Sequence, residues 1–254
     1  MAVPSQAFRE LLEALRPLPV RRLAWATKGF ELDTGLLPYQ VVAELFPAGM
    51  PTAVLSGPTF AREVGAGLPS AMTVASTNRA FAQQLAASIS TDTFRAYTSD
   101  DVIGVEVGGA TKNVYAIGAG ICDGLGFGAN TRIALIARGL AEMTRLGLAL
   151  GARAQTFMGL AGMGDLVLTS TDDQSRNRRF GLALARGASV PDALRAIGQV
   201  VEGYNAALAV HRVARRLGVA MPIVEQLYQV LHEGRDPRDA VTALMRRPLA
   251  HELV

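Results

Sequence analysis

Short apolar runs of the strand type alternate with amphipathic stretches of the helical type over the first hundred residues. Phe8, Leu11, Leu12 and Leu15 recur at helical spacing, whereas the run 22–27 (RLAWAT) is typical of a half-buried strand. The pattern predicts further helices at 39–46 and 79–89, and further strands at 52–55, 71–75 and 93–97. This alternation predicts a parallel or mixed sheet with helices packed on its faces.

The strand signal ends near Asp100, and the rest of the chain shows helical periodicity alone. Residues 101–123 form a helical segment rich in Gly and Ala, and the apolar spacing from Ile133 to Leu146 predicts a long amphipathic helix. Further helices are predicted near 181–186, 191–197, 203–217, 222–232 and 237–245. We therefore predict an α/β domain over 1–99 followed by an all-α C-terminal domain over 100–254.

Glycines are unusually frequent in the helical segment 101–123, where they stand at Gly104, Gly108, Gly109, Gly118 and Gly120. Each glycine in a helix costs about 1 kcal/mol relative to alanine. Such a cost is tolerated where another backbone or a ligand must approach the helix closely. The glycines thus predict a closely packed helix or one that borders a ligand.

Composition and charge narrow the class of protein. Half of the 254 residues are apolar and 19% are charged, as in an ordinary soluble globular protein. A net charge of +3 over this length is a weak field, and the basic residues do not cluster with aromatic ones, so we expect no nucleic-acid partner. The most apolar long stretch, 133–150, contains three charged residues, and no basic-then-apolar leader opens the chain. We expect a cytoplasmic protein without a membrane span.

Metal binding is not expected from the cysteine and histidine content. The single cysteine, Cys122, excludes a disulfide framework and a cysteine zinc site. His211, His232 and His251 lie late in the chain and lack the spacing of metal ligands.

The two lysines are exceptional because all other Lys or Arg positions are arginine. Of 25 basic residues only Lys28 and Lys112 are lysine. An arginine-favouring codon usage accounts for the ratio but not for the choice of these two positions. Each lysine ends an Ala-Thr-Lys tripeptide in apolar, Gly-rich surroundings, and burial can lower the pKa of an ammonium into a catalytic range. We therefore interpret both lysines as functional.

Positions at strand ends support a ligand site. Lys28 follows the predicted strand 22–27, and Gly57 and Thr59 follow the predicted strand 52–55. In open α/β sheets, ligands bind beyond the carboxyl ends of the strands. This argument does not depend on any motif.

Two runs in the helical part could supply acid–base chemistry. Lys112, in the run 108–114 (GGATKNV), is either a surface lysine at a helix seam or a desolvated group that exchanges a proton with a substrate hydroxyl. Asn113 could orient the same substrate. Asp165, in the Gly-rich stretch 162–166, is either a turn or cap residue or the counter-charge that a buried lysine needs.

Two further runs suggest binding. The run 175–180 (SRNRRF) follows a predicted polar turn at 169–174 and precedes a predicted helix. It is either a solvated basic face or an anion site, in which backbone N–H groups and the arginines converge on the anion, Ser175 caps the helix and Asn177 forms a hydrogen bond. Glu202 is a capping group, or it binds ribose hydroxyls or a carboxamide; the sequence leaves these alternatives open.

The motifs together resemble bacterial-type NAD(P)-dependent glycerol-3-phosphate dehydrogenase. The matching pieces occur in the family's order along nearly the whole chain, at 26–29 (ATKG), 56–61 (SGPTFA), 108–114 (GGATKNV), 118–130 (GAGICDGLGFGAN), 164–166 (GDL), 175–179 (SRNRR) and 200–203 (VVEG). The resemblance implies interconversion of sn-glycerol 3-phosphate and dihydroxyacetone phosphate with NAD or NADP, which supplies glycerol 3-phosphate for phospholipid synthesis. It also implies a homodimer and a small phosphorylated substrate.

The resemblance also implies roles for particular residues. Lys112 would be the catalytic proton donor or acceptor, and Asp165 would support it. The residues implied to contact substrate are Lys28, Gly57, Thr59, Lys112, Asn113, Asp165, Ser175, Arg176 and Asn177. Those implied to lie near the dinucleotide are Lys28, Ala61, Arg176, Val200 and Glu202.

One feature of the family is missing. The family opens with a strand, a Gly-rich turn and a helix that holds the pyrophosphate, whereas this chain begins with a segment that resembles the middle of the family's first domain. We therefore expect a partial Rossmann-like domain with an exposed sheet edge, which favours aggregation or pairing with a partner. The alternative to an enzyme is a truncated, non-catalytic module for anion binding or oligomerisation.

The missing turn generates a prediction about cofactor affinity. We expect NADH to bind the 254-residue chain with a dissociation constant weaker than micromolar, because no Gly-rich turn is present to hold the pyrophosphate. A fluorescence titration with NADH measures this. Binding at micromolar concentration or tighter would contradict the expectation.

Overall fold

A four-stranded mixed sheet forms the first part of the molecule. The computed structural model describes residues 1–248, so His251 lies outside the described residues. The strands are β1 (Leu23–Trp25), β2 (Thr52–Ser56), β3 (Ser70–Ala75) and β4 (Phe94–Ser99), in the spatial order β1-β2-β3-β4. β1 is shorter than the predicted strand at 22–27.

The direction of the strands determines where their ends meet. β1 pairs with β2 in parallel, with Leu23 opposite Thr52. β2 pairs with β3 antiparallel, and β3 pairs with β4 in parallel. The sheet is therefore mixed, and the carboxyl ends of β1 and β2 lie at the same edge. Lys28 and Gly57 follow those two ends.

Helices flank the sheet and form the remainder of the described chain. Their bounds are α1 (Phe8–Leu15), α2 (Pro38–Leu45), α3 (Ala61–Gly65), α4 (Arg79–Ile89), α5 (Val102–Gly124), α6 (Ala129–Ala149), α7 (Asp165–Thr171), α8 (Arg176–Ala185), α9 (Val190–Ile197), α10 (Glu202–Leu217), α11 (Pro222–His232) and α12 (Pro237–Met245). Short helical turns cover Ser5–Ala7, Ala154–Met158 and Leu160–Gly164, the last of π type. The predicted class, an α/β part followed by an all-helical part, is confirmed.

The region from 165 to 185 differs from the prediction. Residues 169–174 are not a polar turn throughout, because α7 continues to Thr171. The run 175–180 does not precede a helix but begins one, since the Ser175 hydroxyl accepts a hydrogen bond from the Arg178 amide at 3.2 Å and α8 starts at Arg176. The sequence pattern misplaced these boundaries because polar residues lie on both sides of the short break between the helices.

α5 is the central helix of the structure and is buried from Gly104 to Cys122. Its first turns pack against the core of the sheet region through Val105, and its later turns pack in the core of the helical region, against α6, α7, α8 and α10. The expectation of close approach at its glycines is confirmed. A methyl group at Gly108 would collide with the carbonyl oxygen of Ala161. One helix thus joins both parts of the molecule.

Candidate active site

Both lysines of the chain contact a single carboxylate. Lys28 Nζ lies 2.7 Å from Asp165 Oδ2, and Lys112 Nζ lies 2.7 Å from Asp165 Oδ1. Lys28 comes from the segment after β1, Lys112 from the middle of α5, and Asp165 from the first residue of α7. Three separate elements therefore build one ionic cluster, and the counter-charge expected for Lys112 is present.

The cluster is withdrawn from solvent. Asp165 is 2% exposed and Lys112 is 8% exposed, while the Lys28 side chain retains 19% of its exposure. Burial lowers the pKa of Lys112 to about 8; Asp165 opposes this change, and the charge of Lys28 adds to it. Burial acts to raise the pKa of the Asp165 carboxyl, but the two ammonium groups outweigh it and hold that pKa below its usual value.

Thr169 completes the cluster, although sequence reasoning did not select it. Its hydroxyl accepts a hydrogen bond from Lys112 Nζ at 3.0 Å and donates one to the backbone carbonyl of Asp165 at 2.6 Å. Thr169 stands four residues after Asp165, which places both on the same side of α7. The i, i+4 spacing would have identified it if the helix had been predicted there.

Small residues on α5 allow the surrounding segments to approach. A methyl group at Gly109 would lie 3.1 Å from Lys28 Cγ, so the lysine stem runs directly over this position. Gly108 instead faces the turn that leads to Asp165. Adjacent glycines therefore admit the Lys28 segment on one side of α5 and the Asp165 segment on the other.

A second group of predicted residues joins the starts of α8 and α10 to α5. Asn113 Nδ2 donates a hydrogen bond to Glu202 Oε2 at 3.0 Å, and the Gly203 amide donates one to Asn177 Oδ1 at 2.8 Å. A cleft beside the ionic cluster is lined in part by Lys28, Asn113 and Glu202. The structure thus brings Asn113, Asn177 and Glu202 to the same region as the cluster.

The loop after β2 lies on another side of the cluster. Gly57 is buried at the end of β2, and the Thr59 hydroxyl lies 3.4 Å from the Gly57 carbonyl oxygen. Pro58 lies against Gly164, next to Asp165. Ala61, the first residue of α3, is exposed. The binding roles of Gly57, Thr59 and Ala61 stay predictions.

The basic run at the start of α8 is divided between fold and surface. Arg178 is 8% exposed and forms ion pairs with Asp123, at 2.6 Å, and with Asp173. Arg176 is half-buried and reaches the Gln199 side chain at 3.3 Å, whereas Arg179 is exposed. Of these arginines, Arg176 is the best placed to bind an anion. Val200, which follows Gln199 in the sequence, is 48% exposed.

Clusters of metal-ligand side chains and membrane-spanning helices are both absent from the described part of the chain. Within residues 1–248, no group of three or more His, Cys, Asp or Glu side chains is arranged to hold a metal ion. None of the helices in the described part is long and apolar enough to cross a membrane.

A mixed sheet, a helical part and a lysine–aspartate cluster between them are typical of a two-domain, dinucleotide-dependent oxidoreductase. Comparison with known families makes the class specific. Residues 1–82 match the profile of the NAD-dependent glycerol-3-phosphate dehydrogenase N-terminus, and residues 101–242 match that of its C-terminus. The chain belongs to the NAD-dependent glycerol-3-phosphate dehydrogenase family.

Individual relatives agree with this assignment. The chain is 60% identical to a glycerol-3-phosphate dehydrogenase [NAD(P)+] of Nitrosococcus oceani, over 97% of this chain and 72% of the relative. It is 57% identical to that of Aeromonas hydrophila, over 97% and 75%. A solved glycerol-3-phosphate dehydrogenase from Coxiella burnetii superposes with a TM-score of 0.94 at 47% identity, covering 97% of this chain and 76% of the other. These relatives favour an enzyme over a non-catalytic anion-binding module.

The geometry of the cluster predicts how Asp165→Asn changes Lys112. The substitution removes the negative charge that opposes the lowering of the Lys112 pKa, so that pKa should fall below its value of about 8. The chain has only two lysines, so biosynthetic labelling with 13C-lysine gives two Cε signals to follow against pH. Asp92→Asn, at an exposed position, is the matched control. An unchanged Lys112 pKa in Asp165→Asn would show that the pair is not formed in solution.

Proposed function

We propose that this chain interconverts sn-glycerol 3-phosphate and dihydroxyacetone phosphate with NAD(H) or NADP(H), using Lys112 as the acid–base group. The observation that carries the proposal is the buried Lys112–Asp165 contact at 2.7 Å, within a chain that belongs to the glycerol-3-phosphate dehydrogenase family. The family supports the reaction class, and the contact supports the choice of Lys112.

Lys112 has the properties of a general acid near neutral pH. With a pKa of about 8, the ammonium is largely protonated at pH 7 and still able to release its proton. In the reducing direction it would donate a proton to the oxygen of the substrate carbonyl, and in the oxidising direction it would take that proton back from the hydroxyl. Asp165 and Thr169 hold Nζ in place through its two hydrogen bonds to them.

The start of α8 supports binding of the substrate phosphate. The first amides of a helix have no partner within the helix, and they carry partial positive charge. Ser175 fixes this end of α8 as its N-cap, and the adjacent Arg176 guanidinium offers a forked donor set for phosphate oxygens. We assign Ser175, Arg176 and Asn177 to the phosphate, and Lys28, Gly57, Thr59 and Asn113 to the rest of the substrate.

The residues around the cleft fit a nicotinamide dinucleotide. The Ser56 hydroxyl is buried at the carboxyl end of β2 and has no hydrogen-bond partner among residues 1–248. Lys28, Asn113 and Glu202 offer donors and acceptors on the cleft wall, which suits amide and hydroxyl groups. When bound, the dinucleotide supplies or accepts the hydride. The residues we assign to it are Lys28, Ala61, Arg176, Val200 and Glu202.

The same proposal extends to organisation and setting. We assign residues 1–99 to a dinucleotide-binding domain and 100–254 to a substrate domain, with the boundary just before α5. A homodimer in the cytoplasm, supplying glycerol 3-phosphate for phospholipid synthesis, is the setting that fits this enzyme class.

Substitution of Lys112 by arginine tests the proton-transfer role. Lys112→Arg keeps the positive charge, but a guanidinium does not release its proton near neutral pH, so turnover should fall by about 100-fold or more. The assay is oxidation of NADH with dihydroxyacetone phosphate, measured in the 254-residue chain. Lys28→Arg is the matched control and should lose less turnover, because Lys28 is assigned to ligand binding through its positive charge and not to proton transfer. Retention of most of the rate by Lys112→Arg would remove it from the acid–base role.

Substitution of Arg176 by alanine tests the phosphate assignment. Arg176→Ala removes a guanidinium whose one side-chain hydrogen-bond partner among residues 1–248 is the neutral Gln199, so it should chiefly weaken substrate binding. We expect KM for dihydroxyacetone phosphate to rise about tenfold or more with a smaller change in kcat. Arg179→Ala, at an exposed position in the same run, is the control. An unchanged KM in Arg176→Ala would contradict the assignment.

A further inference from the structure

Glu106 is a buried carboxyl group at the junction between the sheet region and the helical region. It is 4% exposed on the second turn of α5. Its Oε1 accepts a hydrogen bond from the Trp25 indole at 2.8 Å and another from the Tyr39 amide at 3.1 Å. Trp25 ends β1, and Tyr39 lies in the first turn of α2. One side chain of the helical region therefore holds two elements of the sheet region.

The position of Glu106 relates it to both lysines. Trp25 stands three residues before Lys28, and Glu106 stands six residues before Lys112. Gly109, which receives the Lys28 stem, follows Glu106 by three residues and so lies on the same side of α5. The chain from Trp25 to Lys28 therefore contacts one side of α5 at two consecutive points. Trp25 contacts Glu106, and Lys28 contacts Gly109.

No cation in the described part of the chain forms an ion pair with Glu106. Neither of its hydrogen-bond partners is charged, and no ion pair to it is found among residues 1–248. Burial raises the pKa of this carboxyl to about 8, although both hydrogen bonds act against the shift. Burying a carboxyl group in this way lowers the stability of the folded protein. We therefore look for the role of Glu106 in the two elements that its hydrogen bonds hold in place.

We propose that Glu106 is a positioning residue that sets the place of Lys28 relative to Lys112 and Asp165. By holding Trp25 against α5, it fixes the chain three residues before Lys28 and keeps the Lys28 ammonium on the carboxylate it shares with Lys112. Glu106 touches none of the reacting groups itself. The consequence for substrate binding rests on the function proposed above, whereas the placement of Lys28 does not.

Three variants separate the roles of Glu106. Glu106→Leu has similar size but no acceptor, so it leaves the Trp25 and Tyr39 donors unpaired. Glu106→Gln keeps an Oε1 that can accept both hydrogen bonds, and the wild-type carboxyl is itself close to neutral at pH 7. Trp25→Phe removes the indole donor from the other side of the contact and keeps an aromatic ring, so it provides a test even if Glu106→Leu does not fold.

The first readout is the pKa of Lys112, followed by 13C-lysine NMR with Lys28→Met for assignment. The charged groups that act on Lys112 are Asp165, Lys28 and Glu202, and the charge of Lys28 lowers its pKa. If Lys28 moves away, the Lys112 pKa should rise. We expect this rise in Glu106→Leu and Trp25→Phe, in the same direction as in Lys28→Met, and wild-type behaviour in Glu106→Gln.

The second readout is steady-state kinetics with dihydroxyacetone phosphate and NADH. We expect KM for dihydroxyacetone phosphate to rise about tenfold or more in Glu106→Leu and Trp25→Phe. The double variant should be no worse than Glu106→Leu, because Glu106→Leu has already removed the contact that Trp25→Phe breaks. A merely structural residue would lower the melting temperature and leave the Lys112 pKa and KM unchanged, and that result would overturn the proposal. Equal damage by Glu106→Gln and Glu106→Leu would also overturn it.

The two readouts distinguish failure of this proposal from failure of the proposed function. If the wild-type protein does not oxidise NADH with this substrate, the Lys112 pKa still decides whether Glu106 positions Lys28. If the wild-type protein is active and the Lys112 pKa is unmoved in Glu106→Leu and Trp25→Phe, the positioning role alone is wrong.

Discussion

One carboxylate between two ammonium groups is the interaction on which the site depends. Asp165 is almost fully buried and holds Lys28 and Lys112 at 2.7 Å each. Counted over these three groups, the cluster keeps one unneutralised positive charge. A buried excess charge is unfavourable in a low-dielectric environment, and an anionic ligand in the adjacent cleft relieves it. We therefore expect the cluster that organises three elements of the fold to favour an anionic ligand over a neutral one.

The central helix makes this arrangement possible. α5 carries small residues where larger ones would strengthen the helix itself, and it stays helical because it is packed on nearly all sides. Gly109 admits the Lys28 stem and Gly108 admits the turn before Asp165. The glycines reduce the local stability of the helix, and in return two chain segments can approach it closely.

The sequence predicted the parts of the structure that depend on local patterns. Apolar periodicity located most helices and strands, and the isolation of two lysines among arginines pointed to Lys28 and Lys112. The antiparallel pairing of β3 and the short break between α7 and α8 were not predicted, because they depend on tertiary packing and on a single cap at Ser175. Thr169 and Glu106 were missed for the same reason, since each matters through a contact with a residue distant in the sequence. Thr169 contacts Lys112, which is 57 positions away, and Glu106 contacts Trp25, which is 81 positions away.

The pKa of Lys112 shows how position rather than composition sets the chemistry. Burial lowers the pKa, and Asp165 raises it back towards the value of an ordinary lysine; Lys28 acts against Asp165 from the other oxygen of the same carboxylate. The value of about 8 is thus a balance between burial and Lys28, which lower the pKa, and Asp165 and Glu202, which raise it. The contributions of the charged groups depend on distances of a few ångströms. Because Lys28 comes from the sheet region and Lys112 from the helical region, any change in how the two regions meet alters this balance. The contacts that hold the two regions together, those of Glu106 with Trp25 and Tyr39 among them, therefore bear on the acid–base chemistry that we propose for Lys112 as well as on the fold.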